Sequence, residues 1–89
     1  MSIEDYTFYN VFNLDDFEAE GLVSKEYTKE FEGVGEKTIL VTKSNLVGVL
    51  FDDIYLPLEL NNNNPFEMDD RAVYIDDDNE VYVGILNES

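Results

Sequence analysis

Residues 37–58, KTILVTKSNLVGVLFDDIYLPL, decide the fold class of this chain. The stretch contains three runs rich in β-branched and aromatic residues, separated by polar breaks of two or three residues: 38–42, 46–51 and 54–58. Such spacing is typical of hairpins, so the stretch predicts an antiparallel meander. Pro57 has no amide hydrogen to donate to a ladder, which places the third run at a sheet edge or at a bulge.

The chain after this stretch predicts one long loop, at 61–70, and a final hairpin, at 71–86. The hairpin turns at the acids of residues 74–84, YIDDDNEVYVG. Because side chains alternate along a strand, Val73 and Val83 share one face, whereas Tyr74 and Tyr82 share the other. Both faces are apolar. The hairpin is therefore either covered on both sides, or its tyrosine face is open and receives a partner.

The chain before the meander favours short helices. Residues 2–5 have the form of a capping box, and the aromatic residues that follow at 6–12 fit a helix or a strand. Asn13 is placed to cap a short turn at 14–20 that ends at Gly21. Residues 24–33 fit a short amphipathic helix or, failing that, an edge strand with Tyr27 and Phe31 on one side.

The expected fold is a single α+β domain, because 89 residues cannot sustain two separate cores. Short N-terminal helices in a helical or irregular part, 1–36, pack on a five-stranded antiparallel β-meander at 37–89. The sheet of this meander is short enough to curl into a small barrel.

Composition limits both location and chemistry. Apolar residues make up 44% of the chain, which indicates a folded protein, and cysteine is absent, which suits a reducing cytoplasm. The first residues lack the features of a signal peptide, and no later run approaches the length of a spanning helix. There are 21 acids against five bases and no histidine, giving a formal charge of −16. This charge argues against direct binding to nucleic acid or to an anionic membrane.

Neither a metal site nor a catalytic site is indicated by the acids. Residues 76–80, DDDNE, lack the glycine and the spaced glutamate of a calcium-binding loop, and a transition-metal site would have to be built from carboxylates alone. Without histidine or cysteine, a hydrolase would need a pair of carboxylates in a deep cleft. The glycines form no phosphate-binding loop. We therefore expect no catalytic residue, no metal and no cofactor.

A binding surface is the remaining interpretation of the acids. Residues 45–89 contain eleven acids and one base, Arg71, for a net charge of −10, against −6 for residues 1–44. Acids in hairpin turns project freely and can form a band of carboxylates that resembles the phosphate rows of a duplex. The predicted partner-binding residues are these acids, with two tyrosines as anchors: Asp52, Asp53, Asp69, Asp70, Asp76, Asp77, Asp78, Glu80, Tyr74 and Tyr82.

In size, charge and composition, the whole chain resembles the DNA mimics encoded by phages and mobile elements, which inhibit restriction enzymes, CRISPR nucleases, uracil-DNA glycosylase or nucleoid proteins. Members of this class do not share one fold, so the resemblance implies nothing about architecture. It implies a bacterial DNA-binding protein as the partner and the cytoplasm of the host cell as the location. The protein itself would act as a monomer or a homodimer.

Two alternatives remain open at this point. One is a protein-interaction module, without catalytic activity, that docks a partner on the Tyr74 and Tyr82 face or on the edge strand at 54–58. The other is a small structural or assembly component of a phage or organelle, in which the acids keep the protein soluble until assembly.

Overall fold

The computed structural model describes residues 5–44, 47–58 and 65–87. In these ranges the chain forms eight strands and one short helix, in this order: β1 (Tyr6–Asn13), α1 (Leu14–Ala19), β2 (Ser24–Phe31), β3 (Gly35–Lys43), β4 (Val47–Phe51), β5 (Ile54–Pro57), β6 (Phe66–Met68), β7 (Arg71–Ile75) and β8 (Glu80–Leu86). The strands make two antiparallel four-stranded sheets. The first has the order β1-β8-β7-β6 and the second β2-β3-β4-β5.

The two sheets together follow one meander. Read around the molecule, the strands run from β2 to β5 in the second sheet and from β6 to β8 in the first, with β1 placed after β8. This is the cyclic order of an eight-stranded up-and-down barrel. No ladder of hydrogen bonds joins β1 to β2 or β5 to β6 among the described residues, so the arrangement is two facing sheets.

One core lies between the sheets and is filled by alternate residues of the strands. Ile39 and Val41 of β3 and Val49 of β4 are fully buried from the second sheet, and Val81 and Val83 of β8 face them from the first. Burying side chains of this size contributes about 1.5 to 3 kcal/mol each. In the strands without a bulge, this alternation fixes which residues point outward.

The short helix forms as the sequence predicts. The Asn13 side-chain oxygen accepts hydrogen bonds from the amides of Asp15 (2.8 Å) and Asp16 (3.3 Å), which satisfies two free donors of the first turn. Gly21 follows the helix with φ 68°, a conformation that favours glycine. Phe17 of the helix is fully buried and covers one end of the core.

The predicted α+β fold is wrong. The N-terminal part is mostly strand: β1 pairs with β8 over its length and β2 pairs with β3, so 6–12 and 24–31 are not helices and the edge-strand alternative for 24–31 is the one observed. A five-stranded meander and a small closed barrel are therefore wrong as well. Aromatic residues at these spacings fit the period of a helix as well as that of a strand. Pairing with distant strands therefore decides between the two structures.

One strand, β6, is not predicted by the sequence pattern. β6 lies within the predicted loop, because three residues are too few to show a period. The other predicted loop residues at 61–64, and most of the predicted capping box at 2–5, lie outside the described residues. The runs at 38–42 and 46–51 and the hairpin at 71–86 are confirmed as strands in the described ranges.

A β-bulge in β1 sets which face its polar residues occupy. Asn10 pairs with Tyr82 and Phe12 with Val81, so Val11 is the extra residue. The bulge turns Phe12 into the core while Asn10 and Asn13 both face outward.

Candidate acidic interaction surface

The predicted contact acids lie at two opposite ends of the sheets. The β4–β5 turn (52–53) and the β6–β7 turn (69–70) share the end that we call the Arg71 end, together with the β2–β3 turn (32–34). The β7–β8 turn (76–79) shares the other end, the helix end, with α1. Strand β7 separates the two ends by about 16 Å, since five residues rise about 3.3 Å each. The single band of acids that the sequence predicts is therefore two clusters.

At the Arg71 end the acids are partly neutralised. Arg71 pairs with Asp70 at 2.9 Å and with Asp52 at 3.1 Å, and Lys37 lies 3.9 Å from the same Asp52 carboxylate. The guanidinium also lies 4.9 Å from the centre of the Phe51 ring. Although residues 45–89 contain a single base, Asp52 and Asp70 therefore both have basic neighbours.

The turn acids at this end also have a backbone role. Asp52 and Asp53 have φ values of 50° and 66°, as the type I′ turn of a two-residue hairpin requires, and Asp69 has φ 55°. Aspartate enters this region more readily than most residues. Among the described residues, no ion pair involves the carboxylates of Asp53 or Asp69.

At the helix end, Asp76 holds the β7–β8 turn together. One oxygen of its carboxylate accepts the backbone amides of Asp78 and Glu80, both at 2.9 Å, and the other accepts the Tyr82 hydroxyl at 3.3 Å. Asn79 completes the turn with φ 63°. Asp76 is thus a structural residue of the turn, and its carboxylate is fixed in place.

The same turn is tied to β1 and α1 through side-chain amides. The Glu80 carboxylate accepts hydrogen bonds from the amides of Asn10 (2.7 Å) and Asn13 (3.0 Å), and the Asn79 amide donates to Asp15 at 2.9 Å. Within the described ranges, the carboxylates of Asp77 and Asp78 make no hydrogen bond or ion pair. These two acids are the free charges of the turn.

The helix adds acids that the sequence did not assign to the site. Asp15, Asp16, Glu18 and Glu20 lie at the helix end, where Asp15 contacts the β7–β8 turn and Glu18 lies 3.7 Å from Lys43. These acids are far from residue 76 in the sequence, so the sequence did not predict that they lie near the β7–β8 turn. The one available signal was Asn13, whose cap position fixes the helix beside the end of β1.

The predicted tyrosine anchors form a ring cluster on the outer face of the first sheet. Tyr74 and Tyr82 stack with ring centres 4.9 Å apart and planes 10° apart, and Phe8 meets Tyr74 edge-on at 4.8 Å. A Cβ on Gly84 would lie 2.6 Å from the Phe8 ring, so Gly84 lets that ring lie flat on the sheet.

The exposure of these rings decides whether the tyrosine face is covered or open. The rings of Tyr74 and Tyr82 are half-buried, on the face that points away from the second sheet. A phenol with the ordinary tyrosine pKa of about 10 is neutral at physiological pH, and burial and the nearby Asp76 carboxylate raise the pKa of both tyrosines further. The face therefore presents neutral aromatic rings beside fixed carboxylates.

The outward positions of both sheets contain acids and no bases among the described residues. The outward acids are Glu26, Glu30, Glu36, Glu67 and Glu80. All five bases of the chain occupy inward positions, near strand ends or on the edge strand β2: Lys25, Lys29, Lys37, Lys43 and Arg71. Their long stems can follow the rim of the core while their charged groups reach solvent.

Two other structural features bear on function. The described residues contain no group of three or more side chains suited to hold a metal ion, and the prediction of no tight divalent site remains to be tested. None of the described helices has the length and apolar character needed to cross a membrane. Comparisons with models of protein families, with curated proteins and with solved structures gave no match.

Proposed function

We propose that this protein binds a DNA-binding protein in place of DNA and inhibits it. The observation that carries the proposal is the separation of charge: acids occupy the outward positions and the turns, whereas the bases occupy inward positions. A partner that approaches either sheet face or either end meets negative charge, as it would along a duplex.

The density of charge supports this comparison. The molecule measures 40 Å along its longest axis and carries a formal charge of −16. A duplex of that length carries about 24 negative charges, at one per about 1.7 Å. The protein therefore reaches about two thirds of the linear charge of DNA.

The register of β2 and β3 also favours a functional reason for the acids. Glu30 lies directly opposite Glu36 on the outward face, and Lys29 lies opposite Lys37 on the inward face. Like charges in directly opposed positions destabilise a sheet, whereas exchanging one Glu for Lys would make an attractive pair. An outward face that stays acidic at this cost is consistent with selection for a cationic partner.

The experiment is affinity capture from a bacterial lysate at low salt, because the proposed partner acts on DNA in the cytoplasm. Bound proteins are challenged with duplex DNA and, in parallel, with NaCl. The expected result is that duplex DNA displaces the captured proteins and that these are nucleases, polymerases, glycosylases or nucleoid proteins. Capture that DNA cannot compete, or no capture, would contradict the proposal.

Charge-reversal variants locate the contact. One variant reverses Asp77 and Asp78, the free acids of the helix end, and the other reverses Asp53 and Asp69, which make no ion pair at the Arg71 end. Both change the net charge equally. Exposed charges at the rim of an interface act mainly through long-range electrostatic steering. The variant whose altered acids lie at the contact end should therefore associate more slowly with the partner, and its association rate should depend less on salt.

A protein-interaction module is the second candidate, since the stacked and half-buried Tyr74 and Tyr82 rings face outward. Binding through these rings would be largely insensitive to salt, and truncating a ring would mainly speed dissociation. Salt-resistant capture that Tyr74→Leu abolishes would favour this function over mimicry.

A further inference from the structure

The outer face of the first sheet has a small depression next to the stacked tyrosines. It has a volume of ≈ 210 Å³ and is lined by Tyr74, Ile75, Asp76 and Asp77. Its lining therefore includes an aromatic residue, which we call the aromatic wall, and two acidic residues, which we call the acidic wall.

The walls of this depression are held in place before any partner arrives. Tyr82 stacks on Tyr74, and Phe8 contacts the same ring edge-on. The Asp76 carboxylate is fixed by two backbone amides and the Tyr82 hydroxyl. A group that enters would thus meet a prearranged site, which lowers the entropic cost of binding.

The negative charge around the depression favours a positively charged occupant. Outward positions of β1, β6, β7 and β8 carry no base in the described ranges, and Arg71 is directed to the opposite face. Arginine satisfies both walls, because its planar guanidinium stacks on an aromatic ring and donates hydrogen bonds to carboxylates. Lysine, a compact and strongly hydrated charge, satisfies the aromatic wall less well.

We propose that the depression formed by Tyr74, Asp76 and Asp77 binds an arginine side chain of a basic partner protein. The proposal rests on the proposed function, since it names one contact that a DNA-binding partner would make. The Asp77 carboxylate, which has no described partner, receives the guanidinium while the Tyr74 ring supports it.

The test is an NMR titration of the whole protein with hexa-arginine and, separately, hexa-lysine peptides. Hexa-arginine is expected to shift the ring signals of Tyr74 and the signals of Asp77. Tyr55 is the internal control, because it is 44% exposed on the outward face of the second sheet. Equal shifts at Tyr55 and Tyr74, or equal shifts of Tyr74 with both peptides, would overturn the proposal.

Two variants of Tyr74 separate the ring from the hydroxyl. Tyr74→Phe keeps the aromatic wall and should bind hexa-arginine as the wild type does. Tyr74→Leu removes the wall and should bind about two- to fivefold more weakly, the usual effect of an exposed cation–π contact. Unchanged affinity of a folded Tyr74→Leu protein would contradict the inference. If this variant does not fold, the wild-type titration decides.

The peptide test and the lysate test fail independently. A peptide that contacts Tyr74 while lysate capture yields no DNA-displaceable protein would support the arginine site and contradict mimicry. Capture that DNA displaces, without a peptide effect on Tyr74, would contradict the arginine site and leave mimicry supported.

Discussion

Arg71 joins the two sheets at one end of the core. Its side chain is only 15% exposed, contacts Asp52 of the β4–β5 turn and Asp70 of the β6–β7 turn, and lies over Phe51. It is also the one base in residues 45–89. Its charge therefore helps to hold together two sheets that share no hydrogen-bond ladder in the described ranges.

Arg71→Met is expected to lower the free energy of unfolding by about 1 to 2 kcal/mol, because two carboxylates lose a charged hydrogen-bonding partner that is mostly shielded from water. Urea denaturation measures the change. Lys29→Met is the matched control, since it removes the same charge from a residue with no ion pair among those described. Because it also ends the repulsion between Lys29 and Lys37, it should cost less than about 0.5 kcal/mol or stabilise the protein slightly. Equal losses would show that only net charge matters.

Tyr6 gives the protein a sensitivity to alkaline pH. Burial, and then the hydrogen bond that its hydroxyl donates to Glu67 at 2.8 Å, raise the pKa of Tyr6 to about 12. The unfolded chain has the ordinary tyrosine pKa of about 10. The folded state therefore holds this proton more tightly, and the resulting stability is present below pH 10 and is lost as pH rises through about 12.

Tyr6→Phe should accordingly show a shallower loss of stability between about pH 10 and 12 than the wild type. The free energy of unfolding is measured by urea denaturation across that window. Glu67→Gln keeps an oxygen acceptor but removes the charge, so its slope should fall between the two. A Tyr6→Phe slope as steep as that of the wild type would assign the alkaline loss to the other tyrosines.

The β2–β3 ladder combines good apolar packing on one face with poor electrostatics on the other. Tyr27 lies opposite Ile39 on the inward side, and Phe31 is buried at the end of β2. On the outward side Glu30 faces Glu36. The strand pair is therefore stabilised by the core rather than by its own cross-strand charges.

Glu30→Lys should raise the free energy of unfolding by about 0.5 to 1 kcal/mol, because the repulsive pair with Glu36 becomes attractive. Glu32→Lys is the matched control: it makes the same change of net charge in the β2–β3 turn, where the residue faces no strand partner. Thermal and urea denaturation of both variants measure the difference. Equal stabilisation of both would mean that relief of overall repulsion, and not the local pair, is responsible.

In the molecule as a whole, the negative charge of the acids far exceeds the positive charge available to neutralise it. Four ion-pair contacts are present among the described residues, and they involve three of the five bases. The remaining acids repel one another across a body of 40 × 27 × 21 Å. Screening by salt should relieve this repulsion more than it weakens the few pairs.

The melting temperature is therefore expected to rise from low to moderate NaCl. A double variant, Asp77→Asn with Asp78→Asn, removes two charges that have no hydrogen-bonding role in the described structure, and should show a higher melting temperature at low salt and a weaker salt dependence. Calorimetry at several salt concentrations provides both values. A flat or falling wild-type curve would indicate that the acids are better compensated than their contacts show.

Local chemistry was readable from the sequence wherever a single residue or a short pattern decides the outcome. Asn13 begins a helix because its side chain satisfies the first free amides, and the alternation in 38–42 and 71–86 fixes which residues enter the core. The excess of acids over bases also follows from composition alone.

Tertiary structure decided everything that depends on distant segments. Residues 6–13 became a strand because β8 supplied a partner ladder, and β2 did so beside β3, although their aromatic spacing also fits a helix. The same pairing divided the predicted band of acids between two ends and brought Arg71 to Asp52. Hydrogen bonds between strands and the placement of charges across a core join residues far apart in the chain, and no local pattern encodes those partners.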